Sequence, residues 1–95
     1  MQFIALEVEN PNANAEDFQP HLKAEALHVW ELQQQGTVRE VHFRSDQHTA
    51  VLFLECDNLA QAEEVTSCFP LVKAGLIHFE IIPLTPYTGY SRLFA

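Results

Sequence analysis

The chain is short of positive charge. Five Lys and Arg residues stand against thirteen Asp and Glu, giving a formal net charge of −8. Lys23, Arg39, Arg44, Lys73 and Arg92 are scattered, so no basic stripe exists to neutralise phosphates. Neither nucleic acid nor an anionic membrane is an expected partner. Cysteine is scarce too. Cys56 and Cys68 fall at opposite ends of a predicted helix, roughly 15 Å apart and well beyond disulfide reach. Reduced thiols in a cytoplasmic protein are the expected state. No apolar run approaches the length of a membrane span, and MQFIALEVEN lacks the charged region and cleavage site of a signal peptide. Phosphate loops, dinucleotide fingerprints and Ser/His/Asp motifs are missing as well. No cofactor and no metal are therefore expected.

What the 95 residues do hold is 47% hydrophobic side chains, enough for one modest core without disulfide or metal staples. Phe3–Glu9 (FIALEVE) reads as a strand closed by the turn residues Asn10-Pro11-Asn12. A helix follows, capped by Asp17 or Asn14 and running to about Gln35, with Pro20 in its first turn. Phe18, Leu22, Ala26, Val29, Trp30 and Gln33 share one stripe, the expected core side, and Gly36 ends the helix. Thr37–Arg44 and Thr49–Cys56 form a hairpin about SDQH. Its register pairs Arg44 with Thr49, His42 with Val51, Glu40 with Phe53 and Val38 with Glu55.

Alternation gives that hairpin an apolar face of Val41, Phe43, Ala50, Leu52 and Leu54, with Arg39 near its end. The other face mixes Glu40, His42, Arg44, Phe53 and Glu55. Asn58 opens a second helix with Gln61 as reciprocal capping partner. Leu59, Ala62, Val65 and Phe69 form its buried side, and Pro70 stops it. Leu76–Leu84 is a final strand, apolar enough to predict cover on both faces and to argue against a solvated edge. His78, Glu80 and Ile82 fall on one side of it, and Ile77, Phe79 and Ile81 on the other.

The order β-α-β-β-α-β is the split βαβ arrangement. It predicts an α+β, ferredoxin-like domain over residues 1–84, with a four-stranded antiparallel sheet and two helices on one face. The uncovered face carries Val51 and Phe53, and two copies pressed together would bury it. A homodimeric α+β barrel is the expected assembly. Residues 85–95 (TPYTGYSRLFA) form an extended tail whose Tyr87, Tyr90, Leu93 and Phe94 are too apolar to hang free. The tail is expected to dock on its own subunit or on the partner's.

Three segments, LKAEA at Leu22–Ala26, LQQQG at Leu32–Gly36, and FPLV followed by FEIIPL, resemble the muconolactone isomerase family of dimeric α+β barrel proteins. The resemblance spans about Phe18 to Leu84. It implies a cofactor-free isomerase that moves a double bond in a small lactone or unsaturated acid by a 1,3-proton shift. One group must remove a carbon-bound proton and one must return it. Glu25, within LKAEA, is the base that the resemblance implies, and its place beside the buried stripe would let it look into a cleft between helix and sheet.

Other residues compete with it. His21, Glu25 and His28 lie on one side of the helix, a spacing that metal sites use but any polar flank also produces. His42, Glu40, Arg44, Glu55, His78 and Glu80 should share the mixed sheet face, where burial is expensive unless the groups are paired or working. They fit an ion-pair network at a dimer interface, or an acid–base pocket of His42, His78 and a carboxylate such as Glu80. Trp30, Tyr87 and Tyr90 could line a small-molecule cavity, with Arg44 and Glu55 beside it, and Arg92 could bind a substrate carboxylate across the dimer. A non-catalytic oligomeric binding module on the same fold is the alternative function. Cofactor-independent monooxygenase chemistry is a further one, by fold analogy alone.

Overall fold

Apolar alternation at period two sets the strands, and breaks at proline and glycine set the helices. The structure, a computed structural model, describes residues 1–95. Strand β1 spans Gln2–Glu9, and the short helix α1 (Ala15–Phe18) passes through a 3₁₀ turn (Gln19–His21) into α2 (Leu22–Gln34). The hairpin strands are β2 (Val38–Phe43) and β3 (Ala50–Glu55). Helices α3 (Leu59–Ser67) and α4 (Pro70–Lys73) precede β4 (Ile77–Pro83), and a 3₁₀ segment (Gly89–Phe94) ends the chain. The strand order is β2-β3-β1-β4, antiparallel throughout. This is the expected ferredoxin-like sheet. No helix is long and apolar enough to cross a membrane.

The first helix is not continuous. Pro20 has no N–H to donate and its ring crowds the preceding turn, so the chain tightens to 3₁₀ geometry there before α2 starts. The Asp17 carboxylate caps the entry by accepting the Asn14 N–H at 2.8 Å. Pro70 does more than stop a helix. Phe69 turns extended (φ −64°, ψ 135°) and Pro70 then opens α4 as its first residue. Asn58 Oδ1 accepts the Gln61 N–H at 2.8 Å, while the Gln61 side chain reaches one residue further back, to the Asp57 N–H. Gly36 (φ 82°) and Gly75 (φ 76°) hold left-handed turns after α2 and α4, where a side chain would be strained.

The core lies between the sheet and α2–α4. Phe3, Ala5, Leu52, Leu54, Ala62 and Phe69 are fully or almost fully buried there. One register differs from expectation. A β-bulge between Val38 and Glu40 pairs Val38 with Leu54, not Glu55. The extra residue places Val38 on the helix side at 1% exposure and pushes Arg39 out to solvent. The apolar face thus escapes the charge that strict alternation gives it.

Three further expectations are corrected. Strand β4 stands at the sheet edge, and its apolar residues are covered from the helix side only, with His78, Glu80 and Ile82 exposed. Trp30 is 59% exposed, and Leu22, Ala26 and Gln33 of the same expected stripe are exposed with it; the side of α2 turned inward carries Glu25, His28, Val29 and Leu32 instead. On α3 the buried pair is Ala62 and Thr66, while Leu59 is exposed. Thr66 manages burial because its hydroxyl donates to the Ala62 carbonyl at 3.1 Å.

Candidate functional site

Along β1 the helix-facing positions run Phe3, Ala5, Glu7, Glu9. The first two fill the core. The last two cannot, because a carboxylate finds no partner in a hydrocarbon interior. Small residues surround this end of the sheet: Ala13, Ala15, Ala26 and Ala50. The helices therefore roof an open cleft of about 710 Å³ instead of a packed core. Phe18, Leu22 and Val29 form its helical wall, Val41, Phe43 and Leu52 its floor, and Phe69, Leu71 and Phe79 its inner end. That volume suits a small organic ligand.

Two carboxylates face this apolar space from opposite layers. Pairing between β1 and β3 stops at Leu6–Val51, and Glu7 Oε1 accepts the next N–H, that of Ala50, at 2.8 Å. Glu25, on α2, accepts the Leu71 N–H at the start of α4 through Oε1 at 3.0 Å. Burial pushes both carboxyls above the ordinary glutamate range. The backbone N–H groups pull each one back down in part. The negative charge of Glu7 adds to the rise at Glu25, and that of Glu9 to the rise at Glu7.

His48 joins them from the hairpin tip. It is the one non-glycine residue with positive φ (53°), a conformation that histidine tolerates better than most residues. Its ring stacks on Phe43 at 4.3 Å and 22°, and its charge opposes the rise at Glu7. The Glu7 anchor, Ala50, is two residues along the same hairpin.

Among the residues singled out from sequence, Glu25 lies where the cleft argument put it. Its supposed partners do not. His28 packs edge-on against Phe69 at 4.7 Å, its Nε2 buried without a partner and its basicity lowered by burial. His21, Glu25 and His28 do not converge, and no three His, Cys, Asp or Glu side chains stand close enough to hold a metal ion. His42 borders the cleft at its rim. Its imidazole turns onto the other sheet face, 3.2 Å from Glu40 and edge-on to Phe53.

His78 and Glu80 also lie on that other face, but at the opposite edge. With β3 and β1 between them, β2 and β4 are roughly 14 Å apart. One subunit cannot build a pocket from His42, His78 and Glu80. Arg44 is clamped by Asp46 through two bonds, 3.0 and 2.8 Å, and Glu55 pairs with the N-terminal ammonium. Tyr87 and Arg92 sit in the exposed tail, where Tyr87 meets Tyr90 edge-on at 5.0 Å. Trp30 does not line the cleft. Glu7 and His48 were not singled out from sequence. Alternation did carry the signal for Glu7, since an acid follows Phe3 and Ala5 on the covered face. Nothing local marks His48, whose position depends on the hairpin turning left-handed there.

A four-stranded antiparallel sheet with its helices on one face has known counterparts. Muconolactone isomerase superposes with a TM-score of 0.77 over 93% of this chain and 92% of that one, at 14% identity. The chain has the fold of muconolactone isomerase. It is also similar to the 5-chloro-2-hydroxyhydroquinone dehydrochlorinase of Burkholderia phenoliruptrix, in complex with 2,5-dihydroxybenzoquinone. That match has a TM-score of 0.66 over 94% of this chain and 98% of that one, at 15% identity. No protein-family model matches the chain, and no curated protein does.

Proposed function

We propose that the cleft is a cofactor-free proton-transfer site acting on a small unsaturated ring such as a lactone. The observation that carries this is the pair Glu7 and Glu25, aimed into one apolar cavity from two layers and both raised by burial. A carboxylate above its ordinary range is a stronger base, and its acid form persists nearer neutrality. Glu25 would take the proton from carbon, sending the C–H electrons into the conjugated system as a dienolate. Glu7, protonated, would return a proton at the far end of that system, and the double bond would have moved. No electron acceptor is required. Two solved structures of similar fold are named for enzymes acting on small ring compounds, which supports the reading. The test is isomerisation of the uncharged α-angelica lactone by the purified protein. Activity abolished in Glu25→Gln and in Glu7→Gln supports the proposal, and activity surviving both substitutions overturns it.

The assembly belongs to the same proposal. Ile4, Leu6, Val8, Val51 and Phe53 form a half-buried apolar strip on the uncovered sheet face. A second copy pressed on that face would cover it, with the charged edges His42–Glu40 and His78–Glu80 at the rim. The tail is the other loose apolar element, with Phe94 87% exposed. It would dock on the partner subunit, which would cover the exposed Tyr87, Tyr90, Leu93 and Phe94.

A further inference from the structure

We infer that the cleft admits uncharged rings bearing hydroxyl groups and turns carboxylates away, an inference that rests on the cleft being the substrate site. Three acids line it, Glu7, Glu9 and Glu25, and none of the five cationic residues does. Arg44 is held by Asp46 at the hairpin tip. Lys23, Arg39 and Lys73 are exposed elsewhere, and Arg92 lies in the tail. A carboxylate entering the cleft would meet acids from both layers with no guanidinium or ammonium to offset the cost; of the two imidazoles that line it, His42 is turned to Glu40 and the charge of His48 is set against Glu7.

A hydroxyl group meets the opposite conditions. Glu7 and Glu25 each commit Oε1 to a backbone N–H, and the second oxygen of each has no protein partner. A free carboxylate oxygen accepts from a ligand O–H without needing a counter-charge. Because the two acids stand on β1 and α2, a ring with hydroxyls on separate sides could engage both walls at once. Phe18, Val29, Leu52 and Phe79 supply apolar contact for the ring itself, and the same contact penalises any fixed charge on the ligand.

The test uses ligands that share a ring and hydroxyl placement but differ in charge. Resorcinol and α-resorcylate are titrated at pH 7 into the full chain, with binding followed by amide chemical shifts. The expected result is that resorcinol shifts the Ala50 and Leu71 amides and binds about tenfold or more tightly than α-resorcylate. The double variant Glu7→Gln, Glu25→Gln should narrow that gap. Equal or tighter binding of α-resorcylate overturns the charge rule alone and leaves the cleft as the site; loss of that binding in Arg92→Gln would trace the missing cation to the tail. Tighter binding of tyramine than of resorcinol also overturns it, by making the acids a cation trap. Shifts from none of the three ligands overturn the cleft as a ligand site and this inference with it.

Discussion

Glu7 and Glu25 face one cleft from opposite layers, each with Oε1 fastened to a backbone N–H, of Ala50 at 2.8 Å and of Leu71 at 3.0 Å. Neither anchor is a charged partner. The N–H groups fix where each carboxylate points while leaving it costly to ionise, because burial dominates at both. Orientation is obtained without neutralising the acid. That combination is what a proton-transferring carboxylate needs.

The first prediction concerns pH and stability. A carboxyl raised in the folded state binds protons more readily there than in the unfolded chain. Its contribution to stability is fully present below the ordinary glutamate range and is lost as pH rises through the raised values. Glu7→Gln, Glu25→Gln keeps the carbonyl acceptors and removes the ionisation. Its urea midpoint should exceed that of the native chain at pH 7, and the difference should shrink toward pH 4. A difference that grows on acidification would show that the two acids are stabilised as anions.

A second prediction separates the two roles of His48. Asparagine tolerates φ near 53° and has no imidazole, so His48→Asn should hold stability within about 0.5 kcal/mol. The β-branched His48→Val should lose roughly 1–2 kcal/mol from the left-handed backbone. Because His48 offsets the rise at Glu7, the Glu7 carboxyl should titrate still higher in His48→Asn, read by carbon NMR. Equal stability of the two variants would contradict the backbone account, and an unmoved Glu7 titration the electrostatic one.

Much of this arrangement was legible from residue order. Alternation assigned Leu52 and Leu54 to the covered face and His42, Phe53, His78 and Glu80 to the open one; Val41 and Phe43, expected under the helices, instead border the open cleft and stand 36% and 65% exposed. Applied to β1, the same rule would have exposed Glu7 as an acid on the apolar side. What alternation cannot supply is strand order, and that decided against joining His42 to His78: they share a face but occupy opposite edges. The bulge at Arg39 was equally silent, since its cause is the burial gained by Val38 and not any local turn residue. Trp30 follows Val29 in the chain but lies about 100° further round α2, off the side on which Glu25, His28, Val29 and Leu32 turn inward.

The open sheet face yields a third prediction. Phe53 lies at the centre of the apolar strip and pairs with Ile4 across β1. The native chain should sediment as a dimer, and Phe53→Glu should be monomeric with its thermal unfolding still cooperative. A native chain that sediments as a monomer at micromolar concentration would remove the second copy from the account.

Washing a deuterium label into an unsaturated lactone tests the central claim most directly. In heavy water, α-angelica lactone should exchange its acidic ring C–H in the presence of the native chain. Glu25→Gln should slow that exchange about a hundredfold, while His78→Ala, on the far edge of the other face, should leave it unchanged. Full exchange in Glu25→Gln, or its loss in His78→Ala, would place the chemistry outside the cleft.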